Sequence, residues 1–266
     1  MTTLHEHVEQ LVRQQMSAPA ALPEKLNAAL RLLAKYRATL IQNTVVQQCG
    51  LTVQSGPFQG MQFVAQSAEG CHVPKLLGSY EAELHPHILA AAGRGYEAVI
   101  NIGAAEGYYA VGMLVKCPSA HVKAFETDPE GQTLIKKLAG INNVSDRLSV
   151  HGTCDTAVLS DNLPANDVSL VIMDVEGYEK ELLHPTITKL SRATILVEVH
   201  DFIVPGLSSE LVNRFKGTHK IQRIDERKRQ KDDLKLSFPI RDALFSRTNE
   251  WRDSNMHWLL LTPAVS

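Results

Sequence analysis

The sequence predicts an α/β protein with a seven-stranded, mostly parallel sheet, preceded by a helical arm and a small β-hairpin. From residue 97 onward, short apolar runs alternate with helical stretches, which is typical of a parallel sheet covered on both faces. The last two apolar runs are separated by a polar, charged segment, 226–255, instead of a helix, so these two strands are expected to pair antiparallel. A length of 266 residues suits one such domain with a short extension.

The composition excludes several classes of protein. Lys and Arg number 27 against 29 Asp and Glu, and this net charge of −2 lacks the basic footprint of a dedicated nucleic-acid binder. The N-terminus is polar where a signal peptide has an apolar core, and no apolar stretch approaches the roughly 18 residues of a membrane span. The four cysteines form no CxxC pair, which favours reduced thiols. We therefore expect a cytoplasmic protein without membrane or nucleic-acid partners.

Residues 1–50 are predicted to form the N-terminal helical arm. Apolar residues recur at helical spacing from Leu4 to Val12 and from Leu26 to Leu33, and Pro19 and Pro23 separate the two segments. These apolar stripes must pack on something, which is either the main domain or a second copy of the chain. A homodimer formed through the arm is therefore one expectation, and an arm that covers the active site of its own chain is the other.

Residues 51–95 are predicted to lead into the sheet as a hairpin followed by a helix. Two apolar runs in 51–64 flank turn residues, as in a β-hairpin, and Glu81 to Ala92 has a helical pattern that Gly93 and Gly95 end. The third segment, 96–266, contains the sheet. Its predicted strands are 97–102, 121–126, 147–151, 168–174, 193–199, 219–225 and 256–262, and its predicted helices are 106–116, 129–140, 155–160 and 177–190.

The segment VINIGAAEGYYAVGM, residues 99–113, is a strand followed by a glycine turn and a helix. Such a turn brings backbone N–H groups close to a ligand at the carboxyl edge of the sheet. A dinucleotide site needs a middle glycine to admit a pyrophosphate, and Ala105 occupies that position here. The G-x-x-x-G pattern of Gly103 and Gly107, with Asn101 two residues earlier, favours S-adenosylmethionine, which carries no phosphate. A turn that only packs a helix on a strand remains an alternative, and an NAD(P)-dependent oxidoreductase is a poorer one.

Further residues are candidates for binding the same cofactor. Glu126 lies 23 residues after Gly103, a spacing at which a carboxylate accepts the ribose hydroxyls of an adenosine group. Asp155 either accepts from the adenine amino group or caps the following helix. Either Glu81 or Glu83 binds the methionine ammonium, or both are ordinary surface glutamates at a helix start. Ala104 and Tyr108 in the turn, with Asp174 at the end of strand four, complete the predicted cofactor-binding set.

Ionisable residues gather where two neighbouring strands end. Strand four runs into Asp174 and Glu176, and strand five ends with Glu198 and His200, which point to the same side of the strand. Burying such groups in an apolar sheet is costly without a role. His200 is a candidate general base, with Asp174 and Glu198 beside it. Alternatively Asp174, Glu198 and His200 bind a divalent cation, Mg²⁺ or Mn²⁺, or His200 is structural.

These segments resemble those of FkbM-type S-adenosylmethionine-dependent methyltransferases. The resemblance rests on INIGAAEGYYAVG, DVEGYE and LVEVHD, with GPFQGM and KLLGSYEAEL upstream, and covers about 56–262. It implies a Rossmann-like class I methyltransferase fold and methylation of an oxygen atom in a small-molecule acceptor. Members of the family often carry Asp at the position of Asn101, which changes one hydrogen bond.

Other functions stay open at this point. The basic run Arg227, Lys228, Arg229 and Lys231 keeps a methyltransferase for RNA or protein as an alternative. A binding protein that retains the fold without turnover is a third. The charged segment 226–255 is either a lid over the acceptor or a solvated loop.

Overall fold

The structure, a computed structural model, describes residues 3–68, 70–165, 168–230, 233 and 256–264. The chain divides into two compact units, Met1–Gly50 and Leu51–Ser266. None of the four cysteines forms a disulfide. Within the described residues, no helix is both long and apolar enough to cross a lipid bilayer.

The first unit contains two helices, α1 (Leu4–Ser17) and α2 (Leu22–Cys49). The two helices pack against each other, and His5 of α1 meets Tyr36 of α2 edge to face, with a hydrogen bond between them. A row of exposed leucines follows α2: Leu22, Leu26, Leu30 and Leu33. Both expectations for the arm, self-association and covering of the active site of its own chain, stay predictions.

Seven strands form the sheet of the second unit. They are β1 (Ala98–Ile102), β2 (His121–Phe125), β3 (Leu148–His151), β4 (Ser169–Met173), β5 (Thr194–Val199), β6 (His219–Asp225) and β7 (His257–Pro263). Their order across the sheet is β3-β2-β1-β4-β5-β7-β6. β1 to β5 pair in parallel, and β7 lies antiparallel between β5 and β6. The predicted mostly parallel sheet with an antiparallel last strand is confirmed.

Seven helices of the second unit are described. They are α3 (His72–Leu77), α4 (His85–Arg94), α5 (Tyr108–Lys116), α6 (Pro129–Ile141), α7 (Thr156–Asn162), α8 (Glu179–Leu182) and α9 (Leu207–Phe215). One predicted helix is wrong: residues 177–190 form only α8 and a later 3₁₀ turn, Thr188–Arg192. Pro185 disfavours the helical conformation of the residue before it, which ends the helix early.

Residues 51–95, the lead-in segment, differ from their prediction in three places. The chain doubles back over 51–63, as predicted for a hairpin, but pairs through one isolated bridge, Thr52 to Gln62, and not through two strands. The helix expected from Glu81 begins at His85, because Pro86 favours the first helical turn, and it continues past Gly93 to end at Gly95. Helix α3 was not predicted.

The packing of the sheet separates an apolar face from a face that carries polar groups. Alternate residues of β1, β4, β5 and β7, with side chains of α7, α8 and α9, form one continuous buried cluster. Asn101 and Glu198 belong to the other alternation and are also buried. Strand order reverses between β1 and β4, and ligands of open α/β sheets bind outside the carboxyl ends of the strands at such a point. A ligand is therefore expected to bind at the carboxyl ends of β1, β4 and β5.

Candidate active site at the carboxyl edge of the sheet

A narrow cleft lies at the carboxyl ends of β1 and β4. Its lining combines the glycine turn, aromatic rings and ionisable groups: Lys75, Tyr80, Asn101, Gly103, Ala104, Ala105, Tyr108, Tyr109, Ile172, Asp174 and Trp258. A larger groove, of about 1070 Å³, lies at the opposite edge of the sheet, where Tyr96 precedes β1 and Thr194 begins β5. We take the smaller cleft as the candidate site, because the carboxyl edge is where open α/β sheets bind ligands.

The glycine turn is held against β4 by close backbone contact. Gly103 has φ of +74°, and a Cβ there would lie 1.7 Å from the carbonyl oxygen of Asp174. The N–H groups of Gly103 and Ala104 both donate to the carbonyl of Phe125, at 3.0 Å. Gly107 caps α5 with φ of +93°. Two glycines of the predicted motif therefore occupy backbone conformations that other residues adopt at a cost.

Glu126 is placed beside the glycine turn by two backbone hydrogen bonds. Its Oε2 accepts from the N–H of Ala105 at 2.7 Å, and its Oε1 accepts from the N–H of Asp128 at 2.8 Å. A Cβ at Gly131 would lie 2.8 Å from Cγ of Glu126, so α6 packs closely on this side chain. Each carboxylate oxygen can accept a second hydrogen bond. The carboxylate is thus fixed in orientation and keeps acceptor capacity for a ligand.

Asn101 presents a buried acceptor to the cleft. Its Nδ2 donates to the carbonyl of Ile172 at 3.3 Å. Its Oδ1 is buried and has no hydrogen-bond partner among the described residues. An unsatisfied buried acceptor costs about 1–3 kcal/mol. A ligand donor in the cleft would remove that cost.

Two other predicted cofactor residues have defined contacts. Glu81 is fully buried with φ of +45° and accepts a hydrogen bond from the hydroxyl of Tyr109, which lines the cleft. Glu81 is therefore not the surface glutamate of the alternative interpretation. Asp155 caps α7, accepting from the N–H of Val158 at 2.8 Å, and is exposed. Its predicted adenine contact stays a prediction, while the capping alternative is observed.

The lead-in segment is tied to the glycine turn by a buried ion pair that the sequence did not reveal. Lys75 Nζ lies 2.5 Å from Glu106 Oε1, with side-chain exposures of 3% and 0%. Glu106 also accepts from the hydroxyl of Ser67 and the N–H of Ala68. Because Glu106 belongs to the turn and Lys75 lines the cleft, this pair fixes the segment that forms one wall of the site.

The charged strand-end residues converge on one imidazole. His200 is fully buried, and its Nδ1 lies 2.6 Å from Oε1 of Glu179. Three further carboxylates lie around its Nε2: Asp174 at 3.5 Å, Glu176 at 3.6 Å and Glu198 at 3.8 Å. The structure brings together the ionisable groups that the sequence places at this edge of the sheet. It adds Glu179, from α8, to the cluster.

The surroundings of His200 determine its protonation. Burial alone would lower its pKa, but the hydrogen bond to Glu179 and the charges of Glu179, Asp174 and Glu176 outweigh burial and raise the pKa above its usual value. The side chain of His200 has no exposed surface, and three carboxylates lie within 3.8 Å of its Nε2. Its role as a general base stays a prediction.

Exposed apolar side chains border the acidic cluster. Tyr178 follows the Glu176–Gly177 turn, and Phe202 and Ile203 follow His200. The ring of Phe202 lies 5.7 Å from that of His200, and Ile203 packs where a Cβ of Gly177 would be. We call these three exposed side chains, which follow residues of the acidic cluster in the sequence, the apolar rim. Such a rim suits the apolar body of a small ligand.

The segment predicted as a lid is only partly described. Residues 231–232 and 234–255, including Lys231 of the basic run, lie outside the described residues. At its start, Arg229 forms a buried ion pair with Glu83 of the lead-in segment. The start of the segment is therefore attached beside Tyr80, which lines the cleft.

The chain is similar to known proteins in its fold and not in its sequence. No model of a known protein family and no curated protein matches the sequence. Among solved structures, the chain is similar to a human methyltransferase 10 domain containing protein (14% identity, 85% of this chain and 93% of that chain, TM-score 0.47). It is also similar to the O-methyltransferase TomG from Streptomyces achromogenes (13%, 70% and 81%, 0.45) and to TYW2 from M. jannaschii (11%, 68% and 75%, 0.41).

The fold assignment rests on the strand order itself. Five parallel strands are followed by β7, which lies antiparallel between β5 and β6, and the glycine turn follows β1 at the switch point. The chain therefore has the Rossmann-like class I methyltransferase fold.

Proposed function

We propose that the protein is an S-adenosylmethionine-dependent methyltransferase that methylates a hydroxyl group of a small molecule. The observation that carries this proposal is the buried, unsatisfied Oδ1 of Asn101, a residue that lines the cleft together with the glycine turn and Asp174. A cationic donor such as the ammonium of a methionine group satisfies that oxygen. The phosphates of a dinucleotide offer only acceptors there.

The residues that line the cleft, and Glu126 beside the glycine turn, suit this cofactor in kind. Asn101 would accept from the ammonium group, and the fixed carboxylate of Glu126 would accept from the ribose hydroxyls. Gly103, Ala104 and Tyr108 line the cleft, and Gly103 brings the turn against β4 so that its backbone forms one wall. When bound, the cofactor supplies an electrophilic methyl group on a sulfonium.

The chain's own part in the reaction is to orient the acceptor and remove one proton. Transfer forms a bond between the acceptor oxygen and the methyl carbon, and the electrons of the broken sulfur–carbon bond stay on sulfur as a thioether. The hydroxyl proton leaves toward the carboxylates of the strand-end cluster. Asp174 lines the cleft and lies beside His200, so it is the first of these groups that an acceptor meets. The apolar rim would hold the rest of the acceptor.

Two features support a small-molecule hydroxyl as the acceptor. The cleft is narrow and the apolar rim consists of three side chains, which is a small surface for a macromolecule. The resemblance of the strand-end motifs to FkbM-type enzymes points in the same direction. The alternative, a methyltransferase for RNA or protein, predicts transfer of the methyl group to those polymers in an assay.

Isothermal calorimetry with S-adenosylmethionine, S-adenosylhomocysteine and NAD tests the cofactor assignment. We expect both sulfur compounds to bind and NAD not to bind. Glu126→Ala should weaken binding at least tenfold, since hydrogen bonds to a charged group contribute about 1.5–3 kcal/mol each. Glu97→Ala is the matched control, because Glu97 is an exposed carboxylate at the opposite edge of the sheet.

Two results would contradict the proposal. One is NAD binding in the absence of S-adenosylhomocysteine binding. The other is equal affinity of Glu126→Ala and wild type, which would remove the ribose from this side of the glycine turn.

A further inference from the structure

We propose that Asp174, Glu198 and His200 form a binding site for one divalent cation of the Mn²⁺ or Mg²⁺ class. The site lies at the ends of β4 and β5, next to the cleft. Its donors are two carboxylates and an imidazole nitrogen, a combination that binds such ions and Zn²⁺ in proteins.

The three side chains are close enough to share an ion. One donor atom from each lies within 4.8 Å of the other two. His200 Nε2 is 3.5 Å from Asp174 Oδ1 and 3.8 Å from Glu198 Oε2. Neighbouring ligands of an octahedral ion with bonds of about 2.1 Å are about 3.0 Å apart. Binding would therefore draw each donor in by less than about 1 Å.

A second, independent observation comes from the imidazole. His200 has no exposed surface, and its Nε2 has no hydrogen-bond partner among the described residues. This nitrogen is aimed at the carboxylates and not at a carbonyl or hydroxyl. A buried polar atom of this kind calls for a partner, and a cation among the three donors supplies one.

Glu179 is the positioning residue of the site. Its Oε1 holds Nδ1 of His200 at 2.6 Å, and its side chain is fully buried. When Nδ1–H donates to this carboxylate, Nε2 keeps its lone pair and points it into the cluster. Carboxylates in this relation to a metal-binding histidine orient the ring and increase its basicity as a ligand.

The negative charge of the cluster also favours a bound divalent cation. Four carboxylates surround one imidazole, and the side chains of Glu198 and Glu179 are 2% and 0% exposed. Like charges in a low-dielectric region repel strongly. A divalent cation offsets two of these negative charges, whereas a proton on His200 offsets one.

Glu176 gives the site an opening. Its carboxylate lies 3.6 Å from His200 Nε2 and is 75% exposed. A cation therefore has a path from solvent past an anionic side chain.

The role of the cation, unlike its binding, rests on the proposed function. A divalent ion next to the cleft lowers the pKa of a coordinated hydroxyl, so the proton leaves before or during methyl transfer. The exposed carboxylate of Glu176 can accept that proton and pass it to water. The acceptor would then be a compound whose reacting hydroxyl reaches the ion.

The test uses Mn²⁺ alone as the probe. Electron paramagnetic resonance of free Mn²⁺ during titration of the full-length, chelator-treated protein should show one bound ion per chain, displaced by Mg²⁺. Asp174→Asn, Glu198→Gln and His200→Gln should each weaken Mn²⁺ binding at least tenfold. Glu181→Gln is the matched control, since Glu181 is an exposed glutamate on α8, two residues from Glu179.

Glu179→Gln separates positioning from general stability. We expect Mn²⁺ affinity to fall by about 10–100-fold, as for other carboxylates that hold a metal-binding histidine. A merely structural Glu179 would change the melting temperature and leave the Mn²⁺ affinity of the folded fraction unchanged.

Two results would overturn the site. The first is absence of Mn²⁺ and Mg²⁺ binding by the wild-type protein up to millimolar concentration, a result that does not depend on any variant folding. The second is Mn²⁺ binding that none of the three ligand substitutions weakens. S-adenosylhomocysteine binding is measured on the same samples: its loss contradicts the proposed function, whereas loss of Mn²⁺ binding alone contradicts only the cation site.

Discussion

His200 Nδ1 and Glu179 Oε1 lie 2.6 Å apart, and both side chains are completely buried. The pair joins the end of β5 to α8, and its two residues are 21 positions apart in the sequence. It fixes the imidazole so that Nε2 faces Asp174, Glu176 and Glu198. The strand-end cluster is thus an oriented arrangement, in which α8 sets the direction of the histidine that β5 carries.

Gly103→Ala should disable the site through a backbone clash. The new Cβ would lie 1.7 Å from the carbonyl oxygen of Asp174, so the turn and β4 would have to separate. Gly95→Ala is the matched control, because Gly95 also has positive φ, +68°, but a Cβ there meets nothing within 4 Å. Urea denaturation should give a loss of about 1–2 kcal/mol for the control and more for Gly103→Ala. Equal losses would mean that conformational strain alone makes Gly103 necessary.

Asn101→Ala should weaken ligand binding more than it weakens the fold. The side chain makes one long hydrogen bond to Ile172, and its Oδ1 has no partner among the described residues. Losing a hydrogen bond to the ligand's ammonium costs about 1.5–3 kcal/mol, which is a tenfold or larger increase in Kd for S-adenosylhomocysteine. Calorimetry and thermal melting of the same sample compare the two effects. An unchanged Kd would show that no ligand donor reaches Oδ1.

Lys75→Met should destabilise the protein because it leaves a buried charge on Glu106. Removing one partner of a buried ion pair costs about 3–5 kcal/mol. For a chain of this size we expect the melting temperature to fall by about 2–4 °C per kcal/mol. The double variant Lys75→Met/Glu106→Gln should recover part of the loss, since it removes the orphaned charge. No recovery in the double variant would show that Lys75 contributes through packing and not through the ion pair.

His219 should make the fold less stable in mild acid. Burial lowers its pKa, although its hydrogen bond to the carbonyl of Ala193 opposes the shift. The unfolded chain therefore binds a proton near pH 6.5, before the folded protein does. The stabilising contribution is complete above about pH 6.5 and is lost as the pH falls from there toward the folded pKa.

The variant His219→Gln isolates this contribution. The raised pKa of His200 acts in the opposite direction, so wild type and variant are compared at each pH. Unfolding free energies measured in urea from pH 5 to 7 should rise less steeply for the variant. Parallel curves would mean that His219 titrates alike in the folded and unfolded states.

The sheet was predictable from the sequence because its strands are short apolar runs separated by turn residues. β1, β4 and β5 are buried on both faces, so their composition alone marks them. The acidic strand ends were predictable for the same reason, since Asp174, Glu198 and His200 directly follow or end such runs. The parallel register of β4 and β5, with Met173 opposite Val197, then places these strand ends side by side.

The missed features depend on tertiary contact. Glu179 is one of several glutamates in an acidic helical stretch, and only packing against β5 buries it. Lys75 and Glu106 are 31 residues apart and neither stands in an apolar pattern. The shortened α8 had a local cause that the sequence does contain, Pro185, but the apolar spacing around it obscured the break. Helical periodicity alone does not show which glutamate becomes buried or where a helix stops.

A crystal structure of the S-adenosylhomocysteine complex is the decisive test of the proposed cofactor site. We expect ribose hydroxyls on the carboxylate of Glu126, the ligand's ammonium on Oδ1 of Asn101, and the sulfur facing the cleft toward Asp174. A ligand bound in the large groove at the opposite edge of the sheet, or a ribose away from Glu126, would contradict it.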